Sequence, residues 1–177
     1  MSSPLPDCLF LIGYRCTGKS TVGRLLAGRL GRPFLDTDDL VEARAGCSIA
    51  ELFARSGEAA FRDLEEAALA DACYPPGGVV ATGGGVVLRE ANRRRLRESG
   101  FVAWLTADAE TISARLAGDP ASAGRRPALT VGGRAEVEAL ARQRELLYRE
   151  CAHLAVETAG QSPEAVASAI LAAWTIC

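Results

Sequence analysis

The sequence predicts an α/β fold in which a parallel β-sheet is covered by helices on both faces. Two observations predict it. Short apolar runs alternate with helical stretches along the whole chain, the pattern of successive βα units. Residues 13–20, Gly-Tyr-Arg-Cys-Thr-Gly-Lys-Ser, also match G-x-x-x-x-G-K-S/T at every specified position. This loop lies between an unbroken apolar run, Cys8 to Ile12, and a helical stretch, Thr21 to Leu30, that spaces Val22, Leu25, Leu26 and Leu30 along one face. Strand, glycine-rich loop and helix start form a phosphate-binding loop. Its backbone N–H groups turn inward on an anion, and the helix N-terminus adds its partial positive charge. On this pattern Lys19 reaches the β- and γ-phosphates and the Ser20 hydroxyl ligates Mg²⁺.

The remaining elements follow in order. Pro33 to Asp36 reads as a second strand ending in an acid. Asp38 to Arg44 and Ser48 to Arg55 read as short helices, and Gly57 to Ala72 as a longer one with Phe61, Leu64, Ala68 and Leu69 on its apolar face. Pro75-Pro76-Gly77-Gly78 is a turn, and Val79 to Ala81 is a third strand running into Thr82-Gly83-Gly84-Gly85. A polar helix is expected over Arg89 to Ser99, a fourth strand over Phe101 to Leu105, and a helix over Ala109 to Leu116. Ala117 to Arg126 has few apolar anchors and reads as a mobile lid. Arg134 to Arg149 is a helix, His153 to Val156 a fifth strand, and Ser162 to Trp174 a last helix capped by Ser162 with Pro163 in its first turn. With no repeat and no linker, one domain spans 1–177.

Composition narrows the function. Hydrophobic residues make up 49% of the chain, enough for a core, and the net charge is −2. That balance argues against a nucleic-acid or membrane-surface partner. Met1-Ser2-Ser3-Pro4 lacks the charged start of an export signal, and no apolar stretch approaches the roughly 20 residues that span a bilayer. The six cysteines form no C-x-x-C pair and read as reduced cytoplasmic thiols. The one histidine, His153, lies in an apolar stretch and reads as structural.

Ligands of open parallel sheets bind beyond the carboxyl ends of the strands. Asp36 and Asp38 fall at that end of the second strand, and Gly83, Gly84 and Gly85 at that end of the third, so both converge on the phosphate loop. One acid serves the metal and the other a substrate hydroxyl. The triple glycine lets backbone approach a ligand where a Cβ would collide. Arg62, Arg126 and Arg144 supply the cations that phosphoryl transfer and an anionic acceptor need.

In order along the chain, Phe10 to Gly23, Phe34-Leu35-Asp36-Thr37-Asp38, Ser48 to Phe53, Gly57-Glu58-Ala59-Ala60-Phe61-Arg62 with Glu65 and Glu66 following, Thr82 to Gly85, Arg126-Pro127-Ala128-Leu129 and Arg144 with Leu147-Tyr148-Arg149 resemble the shikimate kinase family. The resemblance covers the chain from Leu9 to about Ala172. It implies the three-layer, nucleoside monophosphate kinase-like P-loop fold, with a five-stranded parallel sheet in the order 2-3-1-4-5. It implies transfer of the ATP γ-phosphoryl group to the 3-hydroxyl of shikimate, a step of aromatic amino-acid synthesis, by a cytoplasmic monomer that uses Mg²⁺.

Carried over residue by residue, the resemblance implies the following roles. Gly13, Arg15, Cys16, Thr17, Gly18, Lys19, Ser20 and Thr21 hold the ATP phosphates. Ser20 and Asp36 serve the metal, Asp36 through water. Asp38 binds the shikimate hydroxyls and is the general base, with Lys19 and Arg126 completing the catalytic set. Arg62 and Arg144 clamp the carboxylate, Gly83, Gly84 and Gly85 present backbone, and Phe53 and Phe61 wall the ring. The shikimate-binding region is about 37–66 and the lid about 117–128. Three features depart from the family pattern. Cys16 replaces a common glycine. A longer Asp-Pro-Ala-Ser-Ala-Gly stretch in the lid leaves Arg115 and Arg125 as the candidates for a second phosphate arginine. Gln161 stands in the adenine-loop segment where a stacking arginine can occur. Two alternatives remain open: another small-molecule kinase of this fold, such as gluconate kinase, and a regulatory kinase-like domain without catalysis.

Overall fold

The structure, a computed structural model, describes residues 8–74, 77–118 and 133–175. Five parallel strands, β1 (Cys8–Ile12), β2 (Phe34–Asp36), β3 (Val79–Ala81), β4 (Gly100–Thr106) and β5 (Leu154–Glu157), form one sheet in the order β2-β3-β1-β4-β5. This is the expected topology. The strands read as continuous apolar runs because both faces are buried. Along β1, Leu9 and Leu11 meet Val22 and Leu26 of α1 (Lys19–Leu30) and Ile170 and Trp174 of α7 (Pro163–Trp174). Cys8, Phe10 and Ile12 meet Leu69 of α3 (Ile49–Ala72), Leu96 of α4 (Glu90–Ser99) and Tyr148 of α6 (Gly133–Cys151). Each large side chain so buried stabilises the fold by roughly 1.5–3 kcal/mol. Because every strand is parallel, the loop after β1, the acids after β2 and the glycines after β3 leave the same edge of the sheet.

Two helical features bear on the site. The helices expected over 48–55 and 57–72 are the two arms of α3, which meet at a kink at Gly57, whose φ of 77° and ψ of −180° lie outside helical geometry. A capping box between Ser48 and Glu51 starts α3, and Val41 of α2 (Thr37–Ala45), Ile49, Leu52, Phe61 and Ala68 form a small core between the two helices. Further on, α5 (Ala109–Gly118) includes Ala117 and Gly118, the first residues of the expected lid. The rest of that segment, with Arg125 and Arg126, lies outside the described residues. Among the described residues no helix is long and apolar enough to cross a membrane, and the described cysteines form no disulfide.

His153 extends the sheet. Its backbone N–H donates to the Val102 carbonyl at 2.9 Å, and its Nδ1 accepts from the Val102 N–H at 3.0 Å. The ring stacks on Phe101. Nδ1 must be unprotonated to accept. Burial, with the Arg97 charge adding, lowers the imidazole pKa. The unfolded chain therefore takes up the proton first as pH falls. The His153 contribution is complete above about pH 6.5 and is lost as pH falls through that value toward the lower folded one. Melting temperatures of the wild type should drop more steeply below about pH 6.5 than those of His153→Gln, which cannot titrate; parallel slopes would contradict this.

Candidate active site

The phosphate loop is held by its own side chains. Thr17 Oγ1 donates to the Tyr14 carbonyl at 2.8 Å, and Lys19 Nζ donates to the carbonyls of Gly13 at 2.9 Å and Tyr14 at 2.6 Å. The Lys19 side chain arches over the loop, stiffening it. α1 begins at Lys19 with Gly18 as its N-cap, and no side chain caps it, so its N-terminal end is open to an anion. Cys16 has a φ of 60°, the left-handed region that suits glycine. That explains the glycine common here in the resembling family. Cys16→Gly should stabilise the protein by about 0.5–1 kcal/mol, the strain relieved less the entropy that glycine adds to the unfolded chain. A lower denaturation midpoint would refute it.

The acids follow from the start of α2. Asp36 is its N-cap: Oδ1 accepts from the Asp38 N–H at 3.0 Å, and Oδ2 accepts from Ser20 Oγ at 2.7 Å. Burial raises the Asp36 pKa against the Ser20 hydrogen bond, and repulsion from Asp38 adds to the rise. A cation would relieve both effects. A hydroxyl and a carboxylate in contact are hard oxygen donors. Among the described residues no cluster of three or more His, Cys, Asp or Glu could cage a metal. The Ser20 hydroxyl and Asp36 carboxylate are oxygen donors of the kind that would suit a hard ion such as Mg²⁺.

Loop and acids share one cleft of about 770 Å³, lined by Arg15, Cys16, Thr17, Gly18, Lys19, Ser20, Thr21, Asp36, Asp38, Gly84, Arg115, Thr158 and Gln161. Gln161 Nε2 donates to the Glu157 carbonyl at 2.8 Å. Arg115 joins two walls: Nη1 donates to the Cys16 carbonyl at 3.2 Å and to Thr158 Oγ1 at 3.0 Å, and Nη2 to the Thr158 carbonyl at 2.9 Å.

Phe53, Phe61, Arg62, Gly83, Gly85 and Arg144 do not line this cleft; the glycines and arginines adjoin it at Gly84. Gly83 N–H donates to Thr37 Oγ1 at 3.0 Å, tying the glycine turn to α2. The expectation that the glycines admit a ligand needs correction at Gly85. A Cβ there would lie 2.2 Å from Arg62 Nη1, so that glycine makes room for the arginine. Arg62 is buried and already paired: Nη1 meets Glu65 at 2.6 Å, and Nε and Nη2 meet Glu58 at 3.2 and 3.0 Å. Arg144 is different. It is 8% exposed, donates to the Gly84 carbonyl at 3.2 Å, lies over the Tyr14 ring, and has no carboxylate partner among the described residues. Its Nε is buried without a hydrogen-bond partner there. A buried guanidinium without a carboxylate partner among the described residues is costly and suits an anionic ligand. The expectation for Phe61 also changes. It is fully buried beneath Arg62 with its ring 4.7 Å from that of Phe53, so Phe53 is the ring with an accessible edge.

A shikimate kinase family model matches residues 15–175. The chain belongs to the shikimate kinase family. It is therefore an ATP-dependent kinase. It is 46% identical to the shikimate kinase of Rhodopirellula baltica over 95% of this chain and 90% of that protein. It is 51% identical to that of Nitratidesulfovibrio vulgaris over 89% of each. A shikimate kinase from Acinetobacter baumannii, solved in complex with shikimate, superposes with a TM-score of 0.87 at 36% identity, over 94% of this chain and 91% of that one. A gluconokinase from Sinorhizobium meliloti shares the fold alone, with a TM-score of 0.61 at 16% identity. Sequence reasoning placed Thr158 only within the adenine-loop segment 158–163 and gave Thr37 and Tyr148 no role of their own. Thr37 was legible, since it sits between the two acids; Thr158 and Tyr148 act through contacts made only in the fold.

Proposed function

We propose that this shikimate kinase family member binds ATP with its phosphates on residues 13–21 and transfers the γ-phosphoryl group to the 3-hydroxyl of shikimate, giving shikimate 3-phosphate and ADP. The observation that carries the acceptor assignment is the buried Arg144 beside the Gly84 turn, which has no carboxylate partner among the described residues. It supports a carboxylate on the acceptor, next to a cleft that contains Asp38. Arg62 has three of a guanidinium's five N–H donors engaged, which leaves two for the same carboxylate. Shikimate presents one carboxylate and three hydroxyls to this arrangement.

In the reaction Asp38 takes the proton of the 3-hydroxyl while its oxygen bonds to the γ-phosphorus and the bond to the β-phosphate oxygen breaks. Lys19 exchanges the Gly13 and Tyr14 carbonyls for phosphate oxygens, which accept more strongly. Arg115 borders the nucleotide between Cys16 and Thr158. Arg126 is assigned to the moving charge on sequence alone. Ser20 and Asp36 would hold Mg²⁺, which offsets phosphate charge. Phe53 borders the carbocycle, and Phe61 supports Arg62 from below. We take residues 1–177 as one catalytic domain acting as a cytoplasmic monomer. The test is product identification: with Mg-ATP and shikimate, phosphorus NMR should show ADP and a phosphomonoester coupled to the proton on carbon 3. Coupling to another carbon would reject the acceptor pose, and ATP binding without any phosphoester would reject catalysis.

A further inference from the structure

Tyr148 lies one helical turn beyond Arg144 on α6, and it is 2% exposed. Its hydroxyl donates to the Gly84 carbonyl at 2.5 Å, the same oxygen that accepts from Arg144 Nη1 at 3.2 Å. The neighbouring carbonyls are each held by other groups. Gly83 accepts from Val86 N–H at 3.1 Å and Gly85 from Leu88 N–H at 3.0 Å. Val86 accepts from Asn92 at 3.0 Å and Val87 from Arg93 at 2.9 Å, both on α4. Of these carbonyls, that of Gly84 is the one held, among the described residues, from α6, the helix that carries Arg144, and it is held twice.

A buried carbonyl needs at least one donor and can accept two. The short bond from Tyr148 therefore meets the need of the Gly84 oxygen and leaves the guanidinium on a longer, weaker contact. Without the hydroxyl the carbonyl would turn to Arg144 alone, and a charge-assisted bond would draw the guanidinium onto the backbone. The peptide is planar and trans, so fixing the Gly84 carbonyl also fixes the Gly85 N–H, which points the opposite way. The aim of the hydroxyl is itself fixed. Trp104 stacks on the Tyr148 ring at 5.6 Å with 20° between planes, and both rings border a second cavity of about 400 Å³ against α5 and α6.

We propose that Tyr148 is a positioning residue for the acceptor: it holds the Gly84 carbonyl so that Arg144 stays available to the acceptor carboxylate. This inference rests on the assignment of Arg144 to that carboxylate. The test is steady-state kinetics of Tyr148→Phe, which keeps the ring and its stack, alone and combined with Arg144→Lys, with thermal melts of each. Tyr148→Phe should raise KM for shikimate about 5- to 10-fold, the effect of one hydrogen bond, with kcat and the ATP KM within about twofold. In the Arg144→Lys background the increase should shrink, because both residues act on one contact. An unchanged shikimate KM with a lowered melting temperature would make the hydroxyl purely structural and overturn the inference. So would equal rises in both KM values, or full multiplicativity in the double variant. If Arg144→Lys alone leaves the shikimate KM unchanged, the carboxylate assignment falls and this inference with it. A large effect of Arg144→Lys with none from Tyr148→Phe overturns only the inference.

Discussion

Asp38→Asn is expected to lower kcat by on the order of 10²-fold or more while leaving the fold and the ATP KM near wild type. Asp38 occupies the first turn of α2 and faces the cleft that holds the phosphate loop. Asparagine retains the shape and one acceptor oxygen but cannot take a proton. The backbone N–H of Asp38 is spent on Asp36, and that bond does not depend on the side chain at 38. The cap of α2 should therefore survive. Pre-steady-state measurement of the phosphoryl-transfer step would separate this loss from slow product release. Transfer at wild-type speed would remove Asp38 from the role of base and leave it a binding group for hydroxyls.

Arg144→Met should raise the shikimate KM by about 10²-fold or more, because a desolvated carboxylate would lose its charged partner. The same change should leave the protein at least as stable as the wild type. Arg144 is a buried cation with no carboxylate partner among the described residues, and methionine fills a similar length without the desolvation cost. The Gly84 carbonyl keeps its bond from Tyr148. Opposite movements of binding and stability are the signature of a charge kept for its ligand. A clear fall in melting temperature would mean that the contacts to Gly84 and Tyr14 are what the arginine is for. Arg62 predicts the reverse balance: it is tied to Glu58 and Glu65, so removing it leaves a buried glutamate behind.

Much of this was legible in the residues themselves. The order of strands and helices follows from apolar runs alternating with helical periodicity, and the phosphate loop from its glycines, lysine and serine. Asp36 and Asp38 could be placed by the rule that ligands gather at strand carboxyl ends. What stayed hidden depends on distance in three dimensions. The pairing of Arg62 with Glu58 and Glu65 has helical spacing and could have been read, but Gly85 serving as the socket for Arg62 could not. Tyr148 reading the backbone of Gly84 spans 64 positions in sequence. The two helices meeting near Gly57 were legible, yet the angle between them is set by packing of α3 on both α2 and the sheet.

The central claim, that a buried arginine beside the triple glycine selects a carboxylate-bearing acceptor for phosphoryl transfer, is tested most directly by comparing acceptors. ADP release with Mg-ATP would be followed with shikimate, its methyl ester and gluconate in parallel. The ester keeps every hydroxyl and removes only the negative charge. The account predicts turnover with shikimate, a kcat/KM for the ester lower by about 10²-fold or more, and negligible turnover of gluconate. Equal kcat/KM for shikimate and its ester would contradict it, and a preference for gluconate, which also bears a carboxylate, would overturn the choice of shikimate as acceptor.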